Sequence, residues 1–343
     1  MAIRRRSLPS GWYPATASGV RARCEEWESG LPAVAQRYSS IIVPHAGWAF
    51  SGRLAYKALR AMPESAETVV VVGGHLRPSD PVLAAPEVGF ETPFGHLEAD
   101  SDLLSSLSRR FDVREDHATD NTVEVQLPLV HHLAPHARIA ALRCPPAPCA
   151  EEVGRFIAEF AAERERLIFV VGSTDLTHYG PAYGFVSDQA GGDPSLWVRE
   201  KNDRPIVDAM VRLDADLVIR LALERHAACS SGAAAAAIGY AVRRGSRRGE
   251  LIEYAQSSDV RPDASFVGYA AIGFPRADAG TTSQENAASM SEPVQREARA
   301  TSSSAGASGS RDLRAMSGGR SARAASETAG TPASRDRSRL SRS

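Results

Sequence analysis

Three histidines in this 343-residue chain follow runs of apolar, largely β-branched residues. IIVPHAG carries His45, VVVVGGH carries His75, and FVVGSTDLTH carries Asp175 and His178. In an open parallel sheet, ligands gather beyond the carboxyl ends of the strands, so repeated strand-then-histidine segments bring several imidazoles to one cleft. Imidazoles collected in that way serve as metal ligands or as proton carriers near neutral pH.

The flanking residues sharpen this reading. Pro44 stiffens the approach to His45 and Gly47 lets the backbone turn out of the sheet, with a helix expected to start at Ser51 and Gly52. At such a turn His45 suits a metal ligand or a general base, and equally a capping or core histidine. Gly73 and Gly74 give His75 the same setting and permit close approach to a bound ion. Asp175 and His178 are three residues apart, so a helical turn after the strand places carboxylate and imidazole on one side. A carboxylate in that position fixes the tautomer of an imidazole used in acid–base catalysis.

Cys229 stands ahead of SSG and an alanine run, and reads as the one cysteine placed just before a helix. The positive end of a helix lowers a thiol pKa, making a thiolate ligand or nucleophile, against the alternative of a small buried cysteine in a tight turn. Two imidazoles and one thiolate leave an open position on a metal, as reactive sites require. Cys144 and Cys149 flank PPAP without a matching His or Cys pair downstream. His96, His117, His131, His132, His136 and His226 lack strand-end context and read as surface or packing residues.

The elements that must position these groups alternate. Strands are expected over 40–43, 68–72, 82–85, 138–142, 167–171, 250–256 and 265–274. Helical stripes are expected over 54–62, stopped by Pro63, then over 101–108, 122–133 and 153–160. A further helical stretch over 203–223 breaks near Asp214, and an alanine-rich helix covers 232–243; the stretch from 86 to 97 reads as irregular. Continuous β-branched runs between helices predict a single α/β domain with a central, mainly parallel or mixed sheet flanked by helices.

Residues 38–275 then form the α/β domain, and 1–37 an N-terminal segment of it or an extension. Over 276–343 Ala, Ser, Gly, Thr and Arg dominate, a composition that cannot bury enough surface to offset its ordering entropy, so a disordered tail is expected. Forty basic residues against forty-one acidic ones give a formal charge of -1, which argues against nucleic acid or an anionic membrane as partner. No apolar run reaches membrane-spanning length, and MAIRRRSLPSGWYP lacks the apolar core of a secretory signal, so a cytoplasmic protein is expected. The four cysteines show no disulfide-framework spacing.

The ordered series PHAGWAFSG, GGH, ETPFGHLEAD, DNTVEVQLPLV, STDLTHYG, a late cysteine and SSDVRPDASFVGYAAIGF resembles the Memo family, whose bacterial and archaeal members are also called AmmeMemoRadiSam system protein B. The resemblance covers nearly all of 38–275 and implies a fold similar to the class III extradiol ring-cleavage dioxygenases. It implies a metal held by His45, His75 and Cys229, with Asp175 and His178 beside it and His178 as catalytic acid/base. Where those dioxygenases use a glutamate, the Memo pattern supplies a cysteine, a softer ligand.

This chain also departs from the family pattern. Many members have E-H-S-x-E where Asp120, Asn121, Thr122, Val123 and Glu124 stand; C-G-R reads Cys229, Ser230, Ser231; and G-P-S-H-H is reduced to Gly73, Gly74, His75. The resemblance favours an oxidoreductase using iron(II) first, copper second and zinc third. The alternatives are a non-catalytic module for a peptide, a partner or a metal, and a zinc hydrolase, which no H-E-x-x-H or G-x-S-x-G element supports. A small-molecule or peptide ligand of unknown identity and a functional link to AMMECR1-like and radical-SAM proteins are expected.

Overall fold

A computed structural model describes residues 2–276. Apart from Arg276, the segment expected to form a tail lies outside the described residues. Twelve strands are found among them: β1 (Ile3–Arg4), β2 (Tyr38–Val43), β3 (Thr68–Gly73), β4 (Val82–Ala84), β5 (Gly89–Thr92), β6 (Gly95–Glu98), β7 (Val113–Glu115), β8 (Arg138–Arg143), β9 (Ile168–Ser173), β10 (His178–Tyr179), β11 (Glu250–Gln256) and β12 (Phe266–Pro275). All except β1, β5 and β6 join one mixed sheet in the order β10-β12-β2-β9-β3-β8-β4-β7, with β11 also pairing β12.

The centre of that sheet is parallel: β2 pairs β9, β9 pairs β3, and β3 pairs β8, all in the same direction. Antiparallel pairing enters at the flanks, where β12 runs against β2, β10 and β11, and β4 runs against β8. The parallel strands are buried on both faces, which is why they read as unbroken apolar runs rather than alternating ones. Ile42, Val70, Val72 and Val170 point into one core, while Ile41, Val69, Val71 and Phe169 point into the other.

Helices cover both faces. The helix Ser231–Arg243 lies across the centre of one face, where its small residues let it approach closely: Ser40 Oγ donates to the Ala237 carbonyl at 2.9 Å. It crosses Cys149–Glu163, and a Cβ at Gly154 would collide with the Ala236 carbonyl, as one at Gly239 would with the Glu151 carbonyl. On the other face the helix Ala17–Ser29 buries Val20, Cys24 and Trp27 in the same core as Ile41 and Val43.

Several elements differ from expectation. The helix after His45 begins not at Ser51 but as a π-helical turn, Trp48–Gly52, continuing into Arg53–Leu59. The single helix expected over 122–133 is two, Asn121–Glu124 and Leu127–Leu133, and Pro128 occupies the first turn of the second, where its missing N–H costs nothing. The stretch expected to be irregular contains the β5–β6 hairpin, turned at Gly95 with φ +120°. The break near Asp214 is present, with the Asp214 carboxylate accepting from Leu217 N at 3.0 Å as the cap of Ala215–Arg225.

The close helix crossing yields a test remote from the cleft. Gly154→Ala is expected to lower the stability of the full chain by about 1–3 kcal/mol through overpacking. Urea denaturation should show an earlier midpoint with an unchanged slope. An unchanged midpoint would mean that the two helices are not in backbone contact.

Candidate metal centre

The carboxyl ends of the central strands deliver the expected groups to one place. His45 follows β2, His75 follows β3, and Asp175 follows β9, while Cys229 arrives from the loop before Ser231–Arg243. Ligand atoms of His45, His75 and Cys229 lie within 4.8 Å of one another. Cys229 Sγ is 3.2 Å from His45 Nε2, and the His45 and His75 rings meet edge to face with centroids 5.1 Å apart.

Each ring is oriented from behind. His45 Nδ1 faces Ser173 Oγ at 3.3 Å, which turns Nε2 toward the sulfur. His75 Nδ1 faces Asp120 Oδ2 at 3.1 Å, leaving Nε2 as its free ring nitrogen. Carboxylates and hydroxyls in such positions set the tautomer and raise the basicity of ligating imidazoles. The His75 backbone has φ +57°, a left-handed conformation that costs a non-glycine residue roughly 1–2 kcal/mol. Gly73 and Gly74 permit that turn, since a Cβ on the first would strike Thr122 and on the second Ser230.

Asp175 is placed between the histidines rather than on a helical turn with His178. Its Oδ1 accepts the His45 backbone N–H at 2.7 Å, and its Oδ2 lies 3.9 Å from His45 Nε2 and 3.8 Å from His178 Nε2. Residues 174–177 are irregular and His178 opens β10, because pairing with Val267 of β12 holds it extended. The carboxylate therefore acts on His178 through its charge and not through a tautomer-fixing hydrogen bond. His178 Nε2 is buried without a hydrogen-bond partner in the described residues.

The charges form one coupled group. Burial opposes ionisation of Cys229, yet the neighbouring His45 charge and the contacts with His178, His45 and His75 hold the thiol well below its ordinary range. Burial likewise disfavours the imidazolium form of His45, but Cys229 and Asp175 outweigh it and push the pKa up to about 9. His75 is pushed up to about 10, burial again being overcome by Asp120 and Cys229. His178 is raised by Cys229 and Asp175 against the same burial.

The helix end is not what makes the thiolate. Cys149, contrary to expectation, also opens a helix, and its thiol is pushed up by burial and by Glu152. What separates the two cysteines is the imidazoles around Cys229. Cys24 and Cys144 are buried and their thiols are pushed upward, chiefly by burial.

His45, His75, Asp175 and His178 line the floor of an open cleft of about 630 Å3, together with Trp12, Phe50, Asn121, Tyr183 and Tyr269. A second opening of about 270 Å3 reaches Cys229 and His178 from the other side, past Tyr183, Phe185 and His226. His226, expected as a surface or packing residue, is exposed and stands at that opening. His131 and His132 pack against Phe94, away from the cleft.

Three supporting residues had no strand-end signal. Asp120 caps Asn121–Glu124, accepting from Thr122, and its carboxyl is held well below the usual range, burial being outweighed by His75 and Thr122. Asn121, which stands where the family pattern often has a histidine, donates from Nδ2 to the His45 carbonyl at 3.0 Å. Asp203 is fully buried under the His178 loop, where it accepts from Thr177 N at 3.2 Å and from Tyr254 Oη at 2.7 Å. Asp120 alone had a visible cue, the D-N-T start of a helix.

Asp120→Asn keeps the cap but removes the charge behind His75. It should weaken metal binding by about 10–100-fold, as loss of an outer-shell partner does, measured by competition with a chelating indicator. Unchanged affinity would remove His75 from the ligand set.

The model of the family described as "Memo-like protein" matches residues 4–273. A MEMO1 family protein of Thermococcus onnurineus is 31% identical over 248 residues, covering 68% of this chain and 85% of the relative. One of Methanopyrus kandleri is 34% identical over 249 residues, covering 69% and 83%. The uncharacterized protein JW3007 from Escherichia coli K12 superposes with a TM-score of 0.48 at 14% identity, over 69% of this chain and 100% of that one. Since the matched span contains His45, His75, Asp175, His178 and Cys229 and nearly every described element, the chain belongs to the Memo-like protein family.

Proposed function

We propose that this Memo-family chain is a metal-dependent oxidoreductase that binds one metal ion through His45, His75 and Cys229 and acts on a small molecule held in the cleft above them. The observation that carries the reading is the convergence of two imidazoles and one thiolate within 4.8 Å, the two imidazoles lining the cleft. That donor set fits a metal: it supplies soft and borderline ligands, and three protein donors leave room for an exogenous one. Iron(II) is the first candidate, copper the second and zinc the third. Bound iron or copper supplies one-electron chemistry at an open position, and a thiolate ligand favours an oxidisable ion.

The chain's own residues divide the remaining work. His178 Nε2, buried and unpartnered among the described residues, is the group that gives or takes a proton at the ligand. Asp175 holds the His45 backbone and supplies negative charge to both imidazoles. The Tyr183 ring packs edge-on against His178 at 4.9 Å between centroids and limits water at that nitrogen. The scaffold resemblance to extradiol dioxygenases supports oxidative chemistry, although a fold hosts many functions.

Anaerobic titration with iron(II) should load about one equivalent, as one three-donor site requires. His45→Ala and Cys229→Ala should each abolish loading, and full loading of both variants would refute the site. His178→Ala should load normally yet lower oxygen uptake with catechol as probe by about 10²–10⁴-fold, the usual worth of a positioned proton carrier. Loaded wild type that binds catechol but never consumes oxygen would instead make the protein a binding module.

A further inference from the structure

The rim of the cleft carries one arginine whose position is unlike that of its neighbours. Among the described residues Arg261 is the only lysine or arginine lining the cleft, and its guanidinium makes no ion pair and no hydrogen bond with them. Nearby cations on the same side of the molecule are neutralised: Arg53 and Lys57 pair with Glu253 at 3.3 and 2.7 Å, and Arg199 pairs with Asp259 at 3.8 Å. Asp263, the other charged rim residue, has one oxygen engaged by the backbone N–H of Ser265 at 3.0 Å.

Arg261 is also held in place. Its Cζ sits 5.5 Å from the centroid of the Phe50 ring, and Phe50 belongs to the π-helical turn that leaves the His45 loop. Its backbone N–H donates to the Ser257 carbonyl at 3.0 Å, closing a short helix whose start is fixed by reciprocal bonds between Gln256 and Asp259. A guanidinium stacked on an aromatic ring keeps its planar edge free, the geometry suited to a carboxylate.

We infer that Arg261 is the anion-recognising residue of this cleft, and that its ligand is a small molecule with an apolar body and a carboxylate. The carboxylate pairs with Arg261 at the rim, the apolar body lies along Trp12, Phe50 and Tyr269, and the opposite end reaches His45 and His75 on the floor. The inference rests on the proposal that the cleft over His45 and His75 is the substrate site of a metal centre. It adds to that proposal the chemical class of the substrate and the residue that selects it.

The test uses the full chain, metal-free and zinc-loaded, with 3-phenylpropionate and 3-phenylpropanol as probes of equal body and unequal charge. Calorimetric titration of the wild type should show the carboxylate binding about tenfold more tightly than the alcohol, in line with a charge-assisted hydrogen bond. Arg261→Gln should bring the two within about twofold by weakening only the carboxylate, and Arg261→Lys should fall between, the point charge lacking the fork. Persistence of the preference in Arg261→Gln would overturn the inference, as would a wild type that binds neither probe or both equally. The metal-free arm removes direct coordination as a source of the preference. Metal stoichiometry is read separately, so a protein that fails to load zinc but retains an Arg261-dependent preference refutes the metal proposal and leaves this one standing.

Discussion

A cysteine sulfur beside three imidazoles is the constraint around which the cleft is built. Burial alone pushes a thiol toward its neutral form, and the other three cysteines of this chain follow that rule. At Cys229 the sign reverses because His45, His75 and His178 surround the sulfur, and the pKa of each imidazole is in turn raised by the thiolate and by Asp175 or Asp120. Each of these groups shifts the ionisation of the others, so their effect depends on being delivered together. A metal bound by two nitrogen donors and one sulfur donor, as proposed, would itself balance the thiolate charge.

The fold meets that demand by placing separate parts of the chain at one end of a parallel sheet. β2, β3 and β9 are adjacent through their pairings, so the residues beyond their carboxyl ends emerge side by side. Cys229 is brought over the same edge because Ser231–Arg243 packs close enough to the sheet for a Cβ at Gly172 to strike the Ala233 carbonyl. Strain is accepted where reach requires it, in the left-handed His75. Two π-helical turns lie at the margins, one after His45 and one, Val198–Asp203, that ends at the carboxylate beneath the His178 loop. Such turns recur at functional sites because the extra residue re-aims the next stretch of chain.

The order of the central strands and the helices between them was legible in the sequence because β2, β3 and β9 are buried on both faces and end at a glycine, a serine or against a proline. His45, His75 and Cys229 were legible for the same reason: strand-end turns and a helix start are local features. Asp175 and His178 were found as residues, but their geometry was not, since pairing of His178 with Val267 is a long-range event that overrides the helical spacing. The Thr122–Leu133 stretch misled in the opposite sense, its apolar periodicity continuing across a break that only Pro128 marked. Asp120, Asp203 and Arg261 carry no local signal of their partners, which come from segments 45, 26 and 211 positions away. Their roles depend on tertiary placement alone.

The central claim is that His45, His75 and Cys229 make one metal centre. X-ray absorption at the zinc edge of protein loaded with one equivalent tests it directly, because zinc is redox-inert and its ligand distances are diagnostic. The account predicts one sulfur at about 2.3 Å with nitrogen donors at about 2.0–2.1 Å, and loss of the sulfur shell in Cys229→Ala. A wild-type shell containing only nitrogen and oxygen, or a sulfur shell that survives Cys229→Ala, would contradict it.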